Sequence, residues 1–426
     1  MKSICSLFIL TLVLIATTSE AMPAFARKYK VSCVTCHSAF PKLNAGGEAF
    51  VANNYRFDHW KQTGIAEIAD DDLWLPEKPS LAFRMQGYIK SREDYRNYDS
   101  TTGSATEDND IDLQSPYLIK ALSSGALSDN LTYYFYAIFA EKGNNGTVVV
   151  EDAWFQYSQL FGVDLSLMLG QFQVSDLMFP REVRLPFSDF MAYRLAGITY
   201  ERGAILSGGV AGIDWAIGIV NGNGISENYN MTSPGLKRPD HLFDRDRLKS
   251  WFGRLGYEIG GITSGVFALK GNQYAKSGAK LTGSTSIPSD VDIYGVDISG
   301  PVTSKFDFYF QYLATKWTGI DSTNSANAFD WTGGFLGIDY LWNDKWVFSL
   351  LQNYVDAGDF SSSHTVYRGL AVNSTSFTVS HYVARNAKLV FEVMGDWLET
   401  DRTTSDRTYG HQEKESSVLL GVDAAF

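Results

Sequence analysis

"SSVLLGVDAAF", residues 416–426, is the stretch whose alternation decides the fold. Side chains of an extended chain point to opposite faces in turn. Val418, Leu420, Val422, Ala424 and Phe426 therefore share one face, and Ser417, Gly421 and Asp423 share the other. A strand with one greasy and one wet face, closing the chain on a phenylalanine, is expected of the last strand of a barrel set in lipid.

The same pattern recurs upstream. In "KLVFEVMGDW" (388–397) Leu389, Phe391, Val393 and Trp397 oppose Lys388, Glu392 and Asp396. In "LAFRMQGYIK" (81–90) Leu81, Phe83, Met85, Gly87 and Ile89 oppose Ala82, Arg84, Gln86, Tyr88 and Lys90. Segments of this kind centre near residues 86, 118, 135, 154, 168, 199, 213, 254, 267, 295, 310, 336, 350, 377, 393 and 421, an even set of sixteen. Long polar connections (95–112, 175–194, 221–249, 275–289, 317–330, 357–370, 400–414) alternate with short turns such as "EIGG", "WNDK" and "ARNAK". Only 142–147 is short where the series expects length. Prolines fall in the head, in connections or near strand ends, and none lies past Pro301, as a ladder that needs every donor requires. The expected fold is all-β: a transmembrane antiparallel β-barrel of about sixteen strands, porin-like, over residues 81–426, with its short turns on the periplasmic side. A soluble protein of repeated hairpins is the competing reading, and it needs apolar faces that meet in a dry interior.

Bulk properties agree with the barrel. At 426 residues the chain exceeds the usual size of a domain built on one core. Aromatics are abundant (Trp 10, Tyr 23, Phe 27), Gly stands at 38, and hydrophobic residues make up 45% of the chain. Lys2, the apolar run Leu7–Ala16 and the small residues Ser19 and Ala21 read as an export signal over residues 1–21, cut after Ala21, with a cut after Ala26 as the alternative. The net charge of −12 is unaffected by processing, because Lys2 and Glu20 leave together. Such an acidic chain excludes nucleic acid as a partner and suits cations or basic proteins.

Residues 22–80 form a separate, irregular head that ends in "LPEKPS" (75–80). Cys5 departs with the signal, so Cys33 and Cys36 are the thiols of the exported chain. In Cys33-Val34-Thr35-Cys36-His37 two thiols have the spacing for thioethers to haem vinyl groups, and the adjacent imidazole is placed as proximal iron ligand. A zinc half-site would want further ligands, and a thioredoxin-like pair would want a βαβ setting. We expect one covalent haem c. His59, 22 residues beyond His37, is the candidate distal ligand, against the reading of an ordinary surface histidine; Met22, Lys28 and Lys30 are others. Met85 is disfavoured by its outward parity. His241, His364 and His411 fall in expected outer loops, and His381 on a strand. The acidic run Glu107, Asp108, Asp110, Asp112 is a candidate cation lure at the outer mouth or simply a solvated loop. "FPREVRLPFSDF", 179–190, is the third outer loop, where Arg181 and Arg184 either meet haem propionates, line a pore or make local salt bridges.

"MPAFARKYKVSCVTCHSAFPKLNAGGEAFVANNY", residues 22–55, resembles the N-terminal signature of outer-membrane cytochrome-porin fusion proteins, some of which act as iron oxidases. The matching residues are Pro23, Phe25-Ala26-Arg27, Cys33, Cys36, His37, Pro41, Leu43 and the glycine at 46 or 47, under a tenth of the chain. Lys28-Tyr29 and Gly47-Glu48 depart from the iron-oxidase pattern. The resemblance implies a haem head that plugs or caps the barrel, with Cys33 and Cys36 as attachment sites and His37 as proximal ligand. It also implies single-electron traffic between an extracellular partner, ferrous or ferric iron among the candidates, and periplasmic carriers such as soluble c-type cytochromes. With short turns and both chain ends on one side, the head is expected on the periplasmic side or folded up into the lumen. One haem bridges the membrane only from inside the lumen, near enough to the outer mouth for a small redox partner to approach. A passive channel with a haem plug or redox-sensing head is the rival.

Overall fold

The computed structural model describes residues 24–57, 80–99, 104–141, 148–198, 200–222, 248–274, 288–319, 328–357, 371–397 and 416–426. The expected signal segment 1–21, Met22, His59, His241, His364 and His411 lie outside the described residues. Sixteen strands make the wall. They are β3 (Leu81–Asp99), β4 (Ser104–Ala126), β5 (Leu131–Glu141), β6 (Val149–Tyr157), β7 (Leu165–Gln173), β8 (Tyr200–Val210), β9 (Ile213–Val220), β10 (Ser250–Ile259), β11 (Ile262–Tyr274), β12 (Pro288–Thr303), β13 (Phe306–Thr318), β14 (Ala328–Asn343), β15 (Trp346–Asp356), β16 (Val372–Ala384), β17 (Ala387–Asp396) and β18 (Ser416–Ala425). Each pairs antiparallel with its chain neighbour, and β18 pairs with β3 to close the ring. Closure is completed by Phe426, whose N–H donates to the Phe83 carbonyl at 2.8 Å while its own carbonyl accepts from the Phe83 N–H at 2.7 Å. No sheet edge is left at this seam, which is what lets strands cross lipid.

Alternation sets which face is which. On β17 and β18 the outward Leu389, Phe391, Val393, Val418, Leu420 and Val422 are exposed, whereas Lys388, Glu392, Ser417 and Asp423 are buried towards the bore. These outward residues also pair across the ladder, Phe391 with Leu420 and Val393 with Val418. Apolar outside and polar inside is the reverse of a water-soluble sandwich, and it identifies the outer surface as one solvated by lipid. The soluble-hairpin reading is thereby set aside.

The structure departs from the sequence expectation in three places. β3 and β4 run on through much of 95–112, because strand ends that stand clear of lipid need no hydrophobic alternation. Pro116 lies well inside β4, not near its end, where the register slips opposite Gly87 and a bulge removes the need for its donor. β8 begins only at Tyr200, because a short helix, Met191–Ala196, occupies the stretch before it.

The head builds its own small core. Helix α1 (Ala24–Tyr29), a 3₁₀ turn at Cys33–Thr35, the hairpin β1 (His37–Ala39) and β2 (Lys42–Leu43), and helix α2 (Ala45–Ala52) follow in order. Phe25, Tyr29, Phe50, Tyr55 and Phe57 interlock, with Phe25 stacked on Tyr55 at 5.6 Å between ring centroids. That cluster then meets the wall. Tyr55 lies against Tyr134 of β5 (5.5 Å) and Trp154 of β6 (6.1 Å), and Thr132 Oγ1 of β5 donates to the Asn54 carbonyl at 3.1 Å. Lys42, at the far end of the head, binds Asp307 of β13 and Asp339 of β14. In a ring of sixteen, β5 and β13 are half a circuit apart, so the head spans the bore. Thr132 and Asp307 are the second residues of their strands, at the short-turn end. The head thus docks across the foot of the barrel, at the short-turn end, and not near the long-loop mouth.

Above the head, residues 174–198 between β7 and β8 fold inward to the waist of the barrel. Phe190 stacks on Phe335 of β14 at 4.2 Å, Tyr193 Oη donates to Gln311 of β13, and the N–H groups of Phe187 and Ser188 donate to the Glu392 carboxylate of β17. This is the third outer connection, whose arginines were weighed for lining a pore.

Candidate functional site

The Cys33–His37 turn is held by backbone packing. Cys36 N–H donates to the Cys33 carbonyl at 3.2 Å and closes the turn, and the two half-buried thiols are not bonded to each other. Asn44, the N-cap of α2, ties the turn down through three bonds. Its N–H donates to the Cys36 carbonyl (2.9 Å), its Nδ2 to the Val34 carbonyl (2.9 Å), and its Oδ1 accepts from Gly47 N–H (3.0 Å). The first turn of α2 lies so close to the cysteine turn that a Cβ on Gly47 would stand 2.1 Å from the Cys36 carbonyl oxygen, and one on Gly46 2.5 Å from that of Thr35. Two glycines at 46 and 47 are therefore a packing requirement.

His37 is oriented from behind. Its Nδ1 lies 3.1 Å from the Pro41 carbonyl, which takes the ring proton there and leaves Nε2 as the basic nitrogen. Burial lowers its affinity for a second proton, against the opposing pull of the Pro41 and Lys42 carbonyls. Burial, with the neighbouring Cys33, pushes the Cys36 thiol up. Two unbonded thiols beside an imidazole with a basic Nε2 form a donor set that fits haem c, the sulphurs for vinyl carbons and Nε2 for iron.

The hairpin that follows fastens this turn to the wall. Lys42 Nζ lies 3.0 Å from Asp307 and 2.6 Å from the nearly inaccessible Asp339. Burial opposes the charge on Lys42, but the two carboxylates outweigh it and raise its proton affinity. Tyr382 Oη donates to the Phe40 carbonyl at 2.5 Å, and the Arg84 guanidinium stands 5.2 Å over the Phe40 ring. Arg84 forks onto Asp423, Nε to Oδ1 at 2.9 Å and Nη2 to Oδ2 at 2.7 Å. Leu185 of the inward loop packs in the same cluster as Phe40, Val347 and Tyr382, so head and loop share an apolar contact.

The loop's arginines are spent locally. Arg181 and Arg184 both pair with Asp189, and Arg184 also donates to the Ser188, Phe187 and Arg181 carbonyls. Of the roles weighed for these arginines, the structure shows the local salt bridges, on an inward rather than a surface loop. Burial would raise the Glu182 carboxyl, but Lys120, at 2.7 Å, and Arg84 outweigh it and hold the group well below the usual carboxylate range.

Cys33, Cys36 and His37 are thus brought together, as the motif expects. Lys28 is half-buried beside the Tyr29 ring, Lys30 is exposed, and Met85 faces outward. His381 lies against Trp346, ring centroids 4.2 Å apart. Asp112 of the acidic run accepts from Gln114 and lies 3.7 Å from Arg92. Among the described residues no three His, Cys, Asp or Glu side chains gather as a metal site. Sequence reading missed Asn44, Lys42, Arg84 and Tyr382. Only Asn44 had a local signal, a cap residue directly before a short helical run; the others act through partners hundreds of residues away.

No protein-family model matches the chain, and no curated protein matches it. Solved structures do. An anion-selective porin from Comamonas acidovorans superposes with a TM-score of 0.54 at 12% identity, covering 82% of this chain and 100% of that one. In-vitro folded OmpT, an outer membrane protein of Vibrio cholerae, gives 0.52 at 12% identity with 83% and 100% covered. Salmonella typhi OmpF, in complex with daunomycin, gives 0.51 at 9% identity with 82% and 98% covered. At these identities the likeness is one of fold, and the fold is that of a sixteen-stranded porin-like barrel.

Proposed function

We propose that the protein is an outer-membrane barrel whose head carries one covalent haem c and passes single electrons between periplasmic carriers and a small redox partner that enters through the bore. The observation that carries this reading is the Cys33–His37 turn itself: two unbonded thiols and an imidazole fixed through Nδ1, on a head tied to opposite walls. Cys33 and Cys36 would attach the haem and His37 would ligate its iron. Bound there, haem would supply reversible one-electron chemistry at a potential set by ligation and burial. The protein's share is positional. The Pro41 carbonyl fixes the imidazole tautomer, Asn44 fixes the turn, and Lys42 with Tyr382 fixes the head at the foot of the bore. Soluble c-type cytochromes would dock at the short-turn mouth. A small extracellular donor or acceptor, Fe(II)/Fe(III) being the leading pair, would reach the head past the inward loop. Fold likeness to porins and a lipid-facing surface support placement in the outer membrane.

The test is a pair of measurements on purified protein. Wild type is expected to stain for one covalent haem per chain, and the Cys33→Ser, Cys36→Ser double variant to lose it while the barrel keeps its heat-modifiable mobility. Vesicles loaded with a reducible dye and offered ferrous ion outside then read the direction of electron flow. Absence of pigment in mature wild type would sink the proposal. Solute flux that persists unchanged in the haemless variant, without dye reduction in either, would favour the passive channel suggested by the porin fold.

A further inference from the structure

Lys388, the second residue of β17, is 2% exposed and faces the bore. Among the described residues its ammonium has neither a hydrogen bond nor a carboxylate within ion-pair distance. Its ladder partner is Asp423 of β18, the natural counter-ion, yet both Asp423 oxygens are occupied by Arg84. The other nearby carboxylates are engaged too, although Asp339 Oδ1 has no hydrogen-bond partner. Asp307 and Asp339 bind Lys42, Glu182 binds Lys120, and Glu392 accepts from Phe187, Ser188 and Thr378. The Tyr382 ring has its centroid 6.0 Å from Nζ, and Tyr382 in turn donates to Phe40, three residues from His37.

A buried ammonium without a partner is costly, and a wall position facing a bore would tolerate almost any polar residue instead. We propose that Lys388 is an oxyanion-binding site at the foot of the bore, and that its ligand is a carboxylate of the haem propionate type carried by the head. The propionate form rests on the haem reading of the head; the oxyanion site does not. Geometry favours it. The head comes to within hydrogen-bond distance of Tyr382, and the Phe40 ring lies between Arg84 at 5.2 Å and the His37 ring at 6.0 Å. Arg181 and Arg184, the sequence candidates for this role, are already held by Asp189. Free phosphate has the same chemistry and is the alternative source.

Full-length wild type, Lys388→Met and Lys388→Arg are compared for covalent haem content and for the haem midpoint potential by spectroelectrochemistry. Removing a cation beside a propionate favours the ferric form, so Lys388→Met is expected to load haem normally but show a lower midpoint, with Lys388→Arg close to wild type. In parallel, the Cys33→Ser, Cys36→Ser chain is melted with and without inorganic phosphate. Stabilisation by phosphate in this haemless chain, and its loss on adding Lys388→Met, is the expected companion result. An unchanged midpoint together with phosphate stabilisation of the holoprotein would assign the site to free phosphate. An unchanged midpoint with no phosphate effect in any chain overturns the site. If no haem is found at all, the electron-transfer proposal falls and the phosphate arm alone decides the oxyanion site.

Discussion

The wall and the head of this protein are specified in opposite ways. Each wall strand carries a weak, redundant instruction, apolar out and polar in, and ladder pairing copies it around the ring, as Phe391 against Leu420 and Val393 against Val418 show. In the head a handful of residues each carry an instruction given once. Gly47 must lack a side chain, Asn44 must donate and accept at one spot, and Lys42 must find two carboxylates on the far wall. The wall should therefore absorb single substitutions, while the head should fail locally and leave the wall standing.

The hardest test of that contrast is Gly47→Val. The added side chain meets the Cys36 carbonyl, which is backbone and cannot swing aside, so α2 must leave the cysteine turn. Covalent haem loading is expected to fall close to nil, read by in-gel haem staining, with the folded-barrel band intact. Normal loading in this variant would show that the turn is not held by α2.

Lys42→Met comes next. It strands Asp307 and Asp339 against an apolar neighbour, and breaking such a partly buried ion pair costs about 3 kcal/mol. The cost falls on docking of the head and not on closure of the ring, so limited proteolysis should release the head at protease levels that leave wild type intact. If barrel and head become labile together, the two regions are not energetically separable and the contrast is broken.

A matched probe of the wall is Leu420→Arg. Leu420 is 54% exposed in the middle of β18, and an arginine placed on the lipid face of such a strand costs roughly 2–4 kcal/mol. Urea titrations of folding into vesicles should show that loss while haem loading stays at the wild-type level. A neutral result would mean that this face is not in lipid.

What could be read from sequence follows the same division. Period two is local and self-repeating, so strand number and facing were legible, and Lys388 could be placed on the wet face from "KLVFEVMGDW" alone. The inward course of the third outer loop was not, because a surface loop explained its arginines equally well. The cysteine turn was legible because its chemistry lies within five consecutive residues. The seat of the head was not. Lys42 and Asp339 are 297 positions apart, Phe40 and Tyr382 are 342 apart, and no local pattern marks either pair. Nor could parity show that Arg84 takes both oxygens of Asp423 and leaves Lys388 without them, because that depends on three strands meeting at one point of a closed ring.

The smallest effect, and the finest test of the head, is Asn44→Ala. Removing an N-cap side chain costs about 1 kcal/mol, and here the same truncation also frees the Val34 carbonyl that Nδ2 holds. Val34 lies between the two thiols, so loosening it should not prevent haem attachment but should let the cysteine turn and the first turn of α2 open together. Amide hydrogen exchange reads this directly. The Gly47 N–H, which donates to Asn44 Oδ1, and the Asn44 N–H, which donates to the Cys36 carbonyl, are expected to exchange about fivefold faster for a loss of about 1 kcal/mol. Amides of β17 and β18 should not change. If Gly47 alone accelerates and Asn44 does not, cap and turn are independent, and the cysteines are positioned by the hairpin behind His37 and not by the helix in front of it.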